Sequence, residues 1–247
     1  EVTGSENLCL AGGVALNCVS NGALSRSGLF DSIWVQPAAG DAGCALGAAM
    51  DIAMKSSGRP HVKQHKDAML GSLLGPGFTD EQVQAFLDKN NYTYDKYDQG
   101  QLYVKVAGHL AAGSVIGWFQ GRMEFGPRSL GSRSILGDPR DVEMQKKMNL
   151  KIKFRESFRP FAPAILAADA PKYFDIRDDS PYMLMVSPVL ESIRTKRAPG
   201  EEGGLGSINE VRSEFPAITH VDYSARVQTV NEQNNRPFTL LLESFKA

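Results

Sequence analysis

The residues best suited to chemistry in this sequence are the cations between Arg122 and Arg159. This segment contains ten Lys or Arg residues and five Asp or Glu residues, a net charge of +5 in a chain whose formal net charge is -1. Glycine and proline interrupt the segment repeatedly, which favours loops over regular elements. Because an arginine fork matches two phosphate or carboxylate oxygens at once, arginines on such loops predict a site for an anionic ligand.

A plainer interpretation of the same segment is a solvated basic face whose charges pair with Asp and Glu elsewhere in the chain. The neighbouring Lys146 and Lys147 fit that interpretation, since their pattern is typical of an ordinary helix surface. Spacing and composition leave both interpretations open.

Two turns near the start of the chain form a second candidate site. Gly12 and Gly13 follow a short apolar run and precede a helical pattern, and glycines there allow the backbone to approach a phosphate or sugar closely. Asn17 lies one turn into that helix, where its side chain can bond a ligand. Asp41 begins the next helix beside two glycines, where a carboxylate can hold a metal on a nucleotide. A packing turn and a helix cap are the commoner roles of such residues.

Alternating strands and helices are expected to position these turns. The apolar runs at 7–11 and 33–37 predict strands, and the patterns at 14–27 and 41–55 predict helices. Strands that alternate with helices pair in parallel through right-handed crossovers.

The rest of the chain is less regular. Residues 56–76 are rich in Ser, Gly, Pro, Lys and His and predict a linker, after which Thr79 and Gln82 form a capping-box pattern for a helix ending near residue 88. The remaining predicted elements are a helix at 101–112, strands at 115–119, 161–166, 182–189 and 220–230, and a mobile loop at 198–206.

The composition of the chain argues against nucleic acid and membranes as partners. The chain has 247 residues, 42% of them hydrophobic, and its nearly balanced charge argues against a nucleic-acid coat or an anionic membrane surface as partner. Its three cysteines show no metal-binding spacing, and an odd number indicates reduced thiols in a cytoplasmic protein. We therefore expect no membrane partner.

Four segments of the chain resemble the carbamoyltransferases of the NodU/CmcH type. Two of them form the family's signature block: residues 123–140 (MEFGPRSLGSRSILGDPR) and 149–166 (NLKIKFRESFRPFAPAIL). Residues 10–49 resemble the last lobe of the family's N-terminal nucleotide-binding domain, and residues 218–230 (ITHVDYSARVQTV) match a further segment. The resemblance runs almost end to end and is weakest across 58–100 and 191–213.

The resemblance implies an α/β fold in two parts. Residues 1–56 would be a partial lobe of the ASKHA class, the actin/Hsp70-like ATPases, and residues 57–76 a linker. Residues 77–247 would be a YrdC-like α/β domain with a twisted mixed sheet, incomplete at its C-terminus. Because the first lobe lacks its sheet partners in this chain, we expect it to expose apolar surface.

The resemblance also implies an enzyme with two reaction sites. In the YrdC-like domain, carbamoyl phosphate is hydrolysed and the carbamate reacts with ATP, giving carbamoyl-adenylate and pyrophosphate. The carbamoyl group then passes to the hydroxyl of a small-molecule acceptor at a metal-supported site in the N-terminal domain. ATP and a divalent metal of the Fe or Mg class are the implied cofactors.

Residue roles follow from the matching motifs. Arg128, Lys153 and Arg159 match the binders of phosphate and carboxylate, and Arg226 is a fourth; we expect the first three to point into one cleft. The resemblance further implies nucleotide or cofactor contacts by Gly12, Gly13, Asn17, Arg133 and Arg155, although the last two arginines can equally be structural ion-pair partners. Asp41 matches the metal-binding aspartate.

Some parts of the family pattern lie outside this sequence. The family's histidine metal ligands would precede Glu1 and further site residues would follow Ala247, so the chain is not expected to build the metal site alone. The sequence leaves open whether it is active by itself, and it does not identify the acceptor, the metal or the oligomeric state.

Two other functions fit parts of the sequence. A non-catalytic YrdC-like module that binds nucleotide or double-stranded RNA would use the same basic surface, but the formal net charge of the chain is slightly negative. A sugar-kinase fragment of the ASKHA class would fit Gly12, Gly13 and Asp41 but not the signature block.

Overall fold

The computed structural model describes residues 3–58, 67–195 and 210–247. The predicted loop at 198–206 and much of the predicted linker lie outside these ranges. The fold belongs to the α/β class expected from the sequence, with parallel and antiparallel strand pairs together.

The first lobe has the predicted alternation of strands and helices. Strands β1 (Asn7–Leu10) and β2 (Ser32–Val35) pair in parallel, and helix α1 (Cys18–Arg26) connects them. The predicted helix at 14–27 is divided, because a 3-10 turn at Gly13–Leu16 precedes α1. Helix α2 (Asp41–Ser57) follows β2, as predicted.

Two helices and a hairpin follow. Helix α3 (Asp80–Lys89) begins with the predicted capping box, and helix α4 (Gln99–Ala111) confirms the helix predicted at 101–112. Strand β3 (Ile116–Phe119) pairs antiparallel with β4 (Arg133–Leu136), so the loop carrying Arg128 closes this hairpin. Helix α5 (Met144–Met148) then leads into a single π-helical turn, Asn149–Lys153.

The last third contains short strands and one long helix. Strand β5 (Ala164–Leu166) pairs in parallel with β8 (Gln228–Val230), and β6 (Ser187–Pro188) pairs antiparallel with β7 (Ser224–Ala225). Helix α6 (Glu232–Lys246) packs on α4. Within the described ranges, the strands form four separate two-stranded sheets. One belongs to the first lobe, and the other three stand where a single twisted mixed sheet was expected in residues 77–247.

The segment predicted as a strand at 182–189 is extended only at its end, in β6. Met183 has a φ of 53°, which interrupts a strand, yet Tyr182 and Leu184 are buried. Before β6, the backbone of the segment bonds to the first lobe and not to another strand: the Asn21 side chain donates to the Leu184 carbonyl oxygen and Arg26 to that of Val186. The strand prediction is therefore wrong for most of the segment and holds only for β6.

One hydrophobic core is shared between the first lobe and the rest of the chain. It contains Ala15, Val35 and Ala39 of the lobe together with Leu130 and the segment Tyr182 to Leu184. Two further cores lie under α5 and between α4 and α6. The lobe is thus packed against the remainder of the chain although its sheet is separate.

The lobe also has the exposed apolar face expected of it. Helix α2 buries none of its residues, and Met50, Ile52 and Met54 are 53%, 65% and 39% exposed. In the described part of the chain, no helix combines the length and apolar character that crossing a bilayer requires.

Candidate functional site

The loop between β3 and β4 is organised by one buried carboxylate. Glu124 accepts hydrogen bonds from the backbone N–H groups of Leu130 (2.7 Å), Ser132 (2.8 Å) and Arg133 (3.2 Å). Burial opposes ionisation of Glu124, but these donors and the Arg133 side chain outweigh it and hold its pKa below the usual range. The loop that presents Arg128 is therefore folded around a fixed negative charge.

This loop contacts both turns of the first lobe. Arg128 Nη2 donates to the Leu16 carbonyl oxygen over 3.3 Å, and the buried Nε of Arg128 has no partner among the described atoms. At Gly126, φ is 131°, and a Cβ there would lie 3.3 Å from the Pro37 carbonyl oxygen and 3.4 Å from Ala38. Such close approach requires glycine at this position.

Arg226 lies partly buried beside Arg128. Burial lowers the pKa of the Arg226 guanidinium, and the positive charges of Arg128 and Arg155 lower it further, while an interaction with Cys18 opposes them. Like charges repel each other, so this arrangement is electrostatically unfavourable, and a bound anion would offset part of the repulsion.

Arg155 and Arg159 continue this group of cations. Arg155 Nε donates to Asn149 Oδ1 over 2.6 Å, and its guanidinium lies over the Phe161 ring at 4.9 Å. Burial lowers the pKa of Arg155, and the charge of Arg159 adds to the effect. Arg159 makes an ion pair with Glu156 at 3.0 Å, with about half of each side chain exposed. We call Arg128, Arg155, Arg159 and Arg226 the arginine cluster.

Lys153 is exposed at the end of the π-helical turn, and no hydrogen bond or ion pair joins its side chain to another described residue. It shares the loop of Arg155 and Arg159 and lies two residues from Arg155. Charge interactions connect Arg128 to Arg226, Arg226 to Arg155, and Arg155 to Arg159. That Lys153 points into one cleft with Arg128 and Arg159 stays a prediction.

Arg133 has a structural role in the present geometry. Its Nε donates to Glu124 Oε2 at 3.0 Å and its Nη2 to the Glu124 carbonyl oxygen at 3.3 Å. Because the Glu124 side chain has no exposed surface, removing Arg133 would leave a buried charge short of a partner. Of the two arginines that the sequence left ambiguous, Arg133 is an ion-pair partner and Arg155 a member of the cluster.

The plainer interpretation of the basic segment holds for several other residues. Arg140 binds the buried Asp138 at 2.7 Å, and Lys147 donates to the Gly113 carbonyl oxygen. Lys146 is exposed on α5, as an ordinary surface lysine would be. Some cations of the segment therefore stabilise the fold or lie on an ordinary surface, and others belong to the arginine cluster.

Gly12, Gly13 and Asn17 lie at the first turn of the lobe, although Asn17 precedes α1 and does not lie one turn into a helix as predicted. Gly12 has a φ of 89°, which glycine adopts without strain. Asn17 is the N-cap of α1: its Oδ1 accepts from the Ser20 N–H at 3.1 Å, which commits one side of its amide to the helix. Gly13 begins the intervening 3-10 turn and is exposed.

Asp41 is exposed at the first position of α2 and Gly40 is the cap residue, so Asp41 is not the helix cap that the plainer interpretation favoured. Its charge is nevertheless favourable at the positive end of a helix dipole. Among the described residues, no group of three or more His, Cys, Asp or Glu side chains is placed to hold a metal ion. Asp41 alone therefore does not make a metal site here.

Sequence reasoning missed two buried residues that shape the site, Glu124 and Asn149. Both lie in the quoted motifs, but single polar residues in basic, loop-rich segments carry no periodic signal. The signal that could have indicated Glu124 is its position six residues before a Leu-Gly-Ser turn whose N–H groups need an acceptor.

Comparison with known proteins agrees with the resemblance. The family model for the carbamoyltransferase C-terminus matches residues 107–247, and that for the carbamoyltransferase N-terminus matches residues 1–50. The arginine cluster lies within the first match, and its contacts Leu16 and Cys18 lie within the second.

Curated relatives match along the whole chain. They include uncharacterized protein sll1178 of Synechocystis sp., 53% identical, and the nodulation protein NolO of Bradyrhizobium diazoefficiens, 42% identical. A 3'-hydroxymethylcephem-O-carbamoyltransferase of Amycolatopsis lactamdurans is 35% identical. All of this chain aligns with each, covering 41%, 42% and 41% of the relatives, so it spans about two fifths of their length. By these matches the chain belongs to the carbamoyltransferase family.

Proposed function

We propose that this chain is the part of an O-carbamoyltransferase in which carbamoyl phosphate and ATP react. Water cleaves carbamoyl phosphate to carbamate and phosphate. A carbamate oxygen then attacks the α-phosphorus of ATP, and the bond to the β-phosphate breaks to release pyrophosphate. The acceptor hydroxyl attacks the carbonyl carbon of the carbamoyl-adenylate, the bond to AMP breaks, and the hydroxyl proton is lost to the surrounding groups.

The observation that carries this proposal is the arginine cluster. The positive charges of Arg128 and Arg155 act on Arg226, and that of Arg159 acts on Arg155. Glu156 is the one carboxylate in the described ranges that makes an ion pair with any of these four arginines. Two polyanionic substrates repel each other at a shared site. At an effective dielectric constant near 20, two unit charges about 4 Å apart interact by about 4 kcal/mol, so fixed cations can offset that repulsion.

The same cations are suited to the transition state. Negative charge accumulates on the phosphoryl oxygens as the bond to pyrophosphate breaks, and preorganised donors lower the energy of that charge without reorganising. Arg128 and Arg155 are already held by hydrogen bonds to Leu16 and Asn149, which limits the motion of their guanidinium groups. Lys153, exposed on the same loop, would add a mobile cation to the phosphates.

The acceptor step is assigned by analogy with the Amycolatopsis relative, whose name specifies carbamoyl transfer to oxygen. We propose a hydroxyl-bearing small molecule as acceptor, with Gly12, Gly13 and Asn17 near the nucleotide on the first-lobe side. Asp41 would belong to the acceptor site. Since it lacks companion ligands among the described residues, no step of the mechanism is derived through a metal.

The proposal is tested by ATP–pyrophosphate exchange that depends on carbamoyl phosphate, measured with the full-length protein. Arg226→Ala is expected to abolish the exchange, whereas Arg236→Ala, an exposed arginine on α6, serves as the matched control. Exchange that is independent of carbamoyl phosphate, or unaffected by Arg226→Ala, would overturn the proposal. Salt-dependent binding of duplex RNA without exchange would instead support the nucleic-acid module.

A further inference from the structure

Asn149 is a fully buried polar residue inside the loop that carries half of the arginine cluster. It has no exposed surface and lies where α5 passes into the π-helical turn. Its Oδ1 accepts from Arg155 Nε at 2.6 Å, while its Nδ2 donates to the carbonyl oxygens of Ser157 at 2.9 Å and Arg159 at 2.8 Å. One side chain thus binds three points of the loop.

These partners determine the orientation of the amide. A guanidinium N–H needs an acceptor and the two carbonyl oxygens need donors, so only one of the two amide orientations satisfies all three. The Asn149 backbone takes part as well, because its carbonyl oxygen accepts from the N–H groups of Phe154 and Arg155. A buried group with this many partners permits little local movement.

The backbone around Asn149 is held in an unfavourable conformation. Phe154 has a φ of 50° and a ψ of 52°, in the left-handed region that aromatic residues rarely adopt, and its side chain is 85% exposed. Exposure means that side-chain burial does not explain this conformation. Strain of this kind persists where surrounding contacts enforce it, and the contacts to Asn149 do so here.

We infer that Asn149 is a positioning residue: it sets the placement of Arg155 and Arg159 in the arginine cluster and thereby the affinity of the cluster for phosphate-bearing anions. This inference rests on the proposed function for the identity of the substrates. Asn149 itself is buried beneath the loop, so it acts through Arg155 and Arg159.

The substitution Asn149→Asp tests the inference with little change of shape. It replaces the Nδ2 donor by an oxygen that faces two carbonyl oxygens, and its negative charge would neutralise part of the cluster through Arg155. Both effects weaken anion binding. We expect the dissociation constant for inorganic pyrophosphate and the KM for carbamoyl phosphate to rise about 10- to 100-fold, as when supporting groups of a site are lost.

The control is Thr239→Val, because Thr239 is also buried and its side chain also makes a hydrogen bond, but within α6. Calorimetric titration with pyrophosphate and thermal unfolding are measured for both variants of the full-length protein. A purely structural role would lower the melting temperature of both variants without selectively weakening pyrophosphate binding in Asn149→Asp. That result would overturn the inference.

A second variant and a separate binding measurement distinguish the role of Asn149 from the proposed function. Should Asn149→Asp fold poorly, Asn149→Ser replaces it, since a smaller hydroxyl leaves room for a water and adds no charge. If the wild-type protein shows no exchange, the proposed function fails while the pyrophosphate titrations still decide the role of Asn149. Unchanged pyrophosphate affinity in a folded variant would exclude the positioning role.

Discussion

Arg128 and Leu16 lie 112 residues apart in the chain, yet Arg128 Nη2 donates to the Leu16 carbonyl oxygen. This hydrogen bond joins the signature loop to the turn that precedes α1. The arginine cluster is consequently built at the boundary between the segments that match the N-terminal and C-terminal family models. A product formed at the cluster would have only a short path to the Gly12 turn.

Loss of a cluster arginine should abolish the first reaction. In the full-length protein, Arg128→Ala and Arg226→Ala each remove a charge-assisted contact, a loss of about 2–4 kcal/mol of transition-state stabilisation. Carbamoyl-phosphate-dependent ATP–pyrophosphate exchange is expected to fall correspondingly, by roughly 30- to 800-fold.

Lys153→Ala is expected to act in the same direction, and Lys151→Ala is its control. Both lysines are exposed and lie two residues apart on the π-helical turn. Equal losses of exchange in the two variants would show that net charge, rather than a specific contact by Lys153, matters.

Asp41→Ala should separate the two reactions. Asp41 lies at the start of α2, and no described contact joins it to the arginine cluster. Pyrophosphate exchange is therefore expected to persist while the carbamoylated acceptor disappears and AMP accumulates, as followed by chromatography. Loss of exchange as complete as in Lys153→Ala would contradict the assignment of two sites.

Glu124→Gln should destabilise the fold in a pH-dependent way. The folded-state pKa of Glu124 lies below its ordinary value of 4.5, so its stabilisation is fully present above about pH 4.5 and is lost as pH falls through the lower folded-state pKa. Near pH 7 the substitution is expected to lower the free energy of unfolding by about 1–3 kcal/mol. Urea unfolding is measured across pH, with the exposed Glu243→Gln as control. The difference in free energy of unfolding between the wild-type protein and Glu124→Gln should disappear in acid.

His220 should make stability sensitive to mild acid. Burial lowers its pKa below the ordinary value of 6.5 and Arg226 lowers it further, although Asp222 opposes them. Because the unfolded state then binds the proton more readily, stability is expected to fall as pH decreases below about 6.5. His220→Gln should flatten this dependence in urea unfolding between pH 5 and 7.5. An unchanged slope in the variant would assign the dependence to other groups.

The apolar face of α2 should promote association of this chain. Met50 and Ile52 are more than half exposed, and exposed apolar side chains of this kind bind hydrophobic dyes. Met50→Lys combined with Ile52→Lys is expected to reduce dye fluorescence and self-association, measured by light scattering. Lys55→Ala, on the same helix, is the control.

Local signals in the sequence predicted local structure well. The Thr79–Gln82 capping box and the apolar pattern of α4 depend on neighbours a few residues away, and both are present. The strand predicted at 182–189 is present only as β6, because the carbonyl oxygens of Leu184 and Val186 accept hydrogen bonds from Asn21 and Arg26, more than 150 residues distant. Periodicity reports which residues are buried, not which backbone groups will pair with them.

Sequence patterns were equally unable to predict which side chains contact one another in the candidate site. Residue type and motif indicated the arginines, but not that Arg133 would be committed to Glu124 or that Arg226 would interact with Arg128 and Arg155. The first outcome depends on how a nine-residue stretch of loop folds, and the second on a contact with segments about 70 and 100 residues away, which no spacing within one motif encodes.

The close approach of Gly126 to Pro37 and Ala38 has a consequence for how variation in this family should be interpreted. A residue with a side chain at position 126 would have to adopt a φ of 131°, and its Cβ would crowd Pro37 and Ala38, although a methyl group would change no charge. Selection would therefore retain glycine there for backbone conformation and space, not for chemistry. A natural variant at this position would lose activity as an active-site variant does, although every arginine of the cluster would still be present.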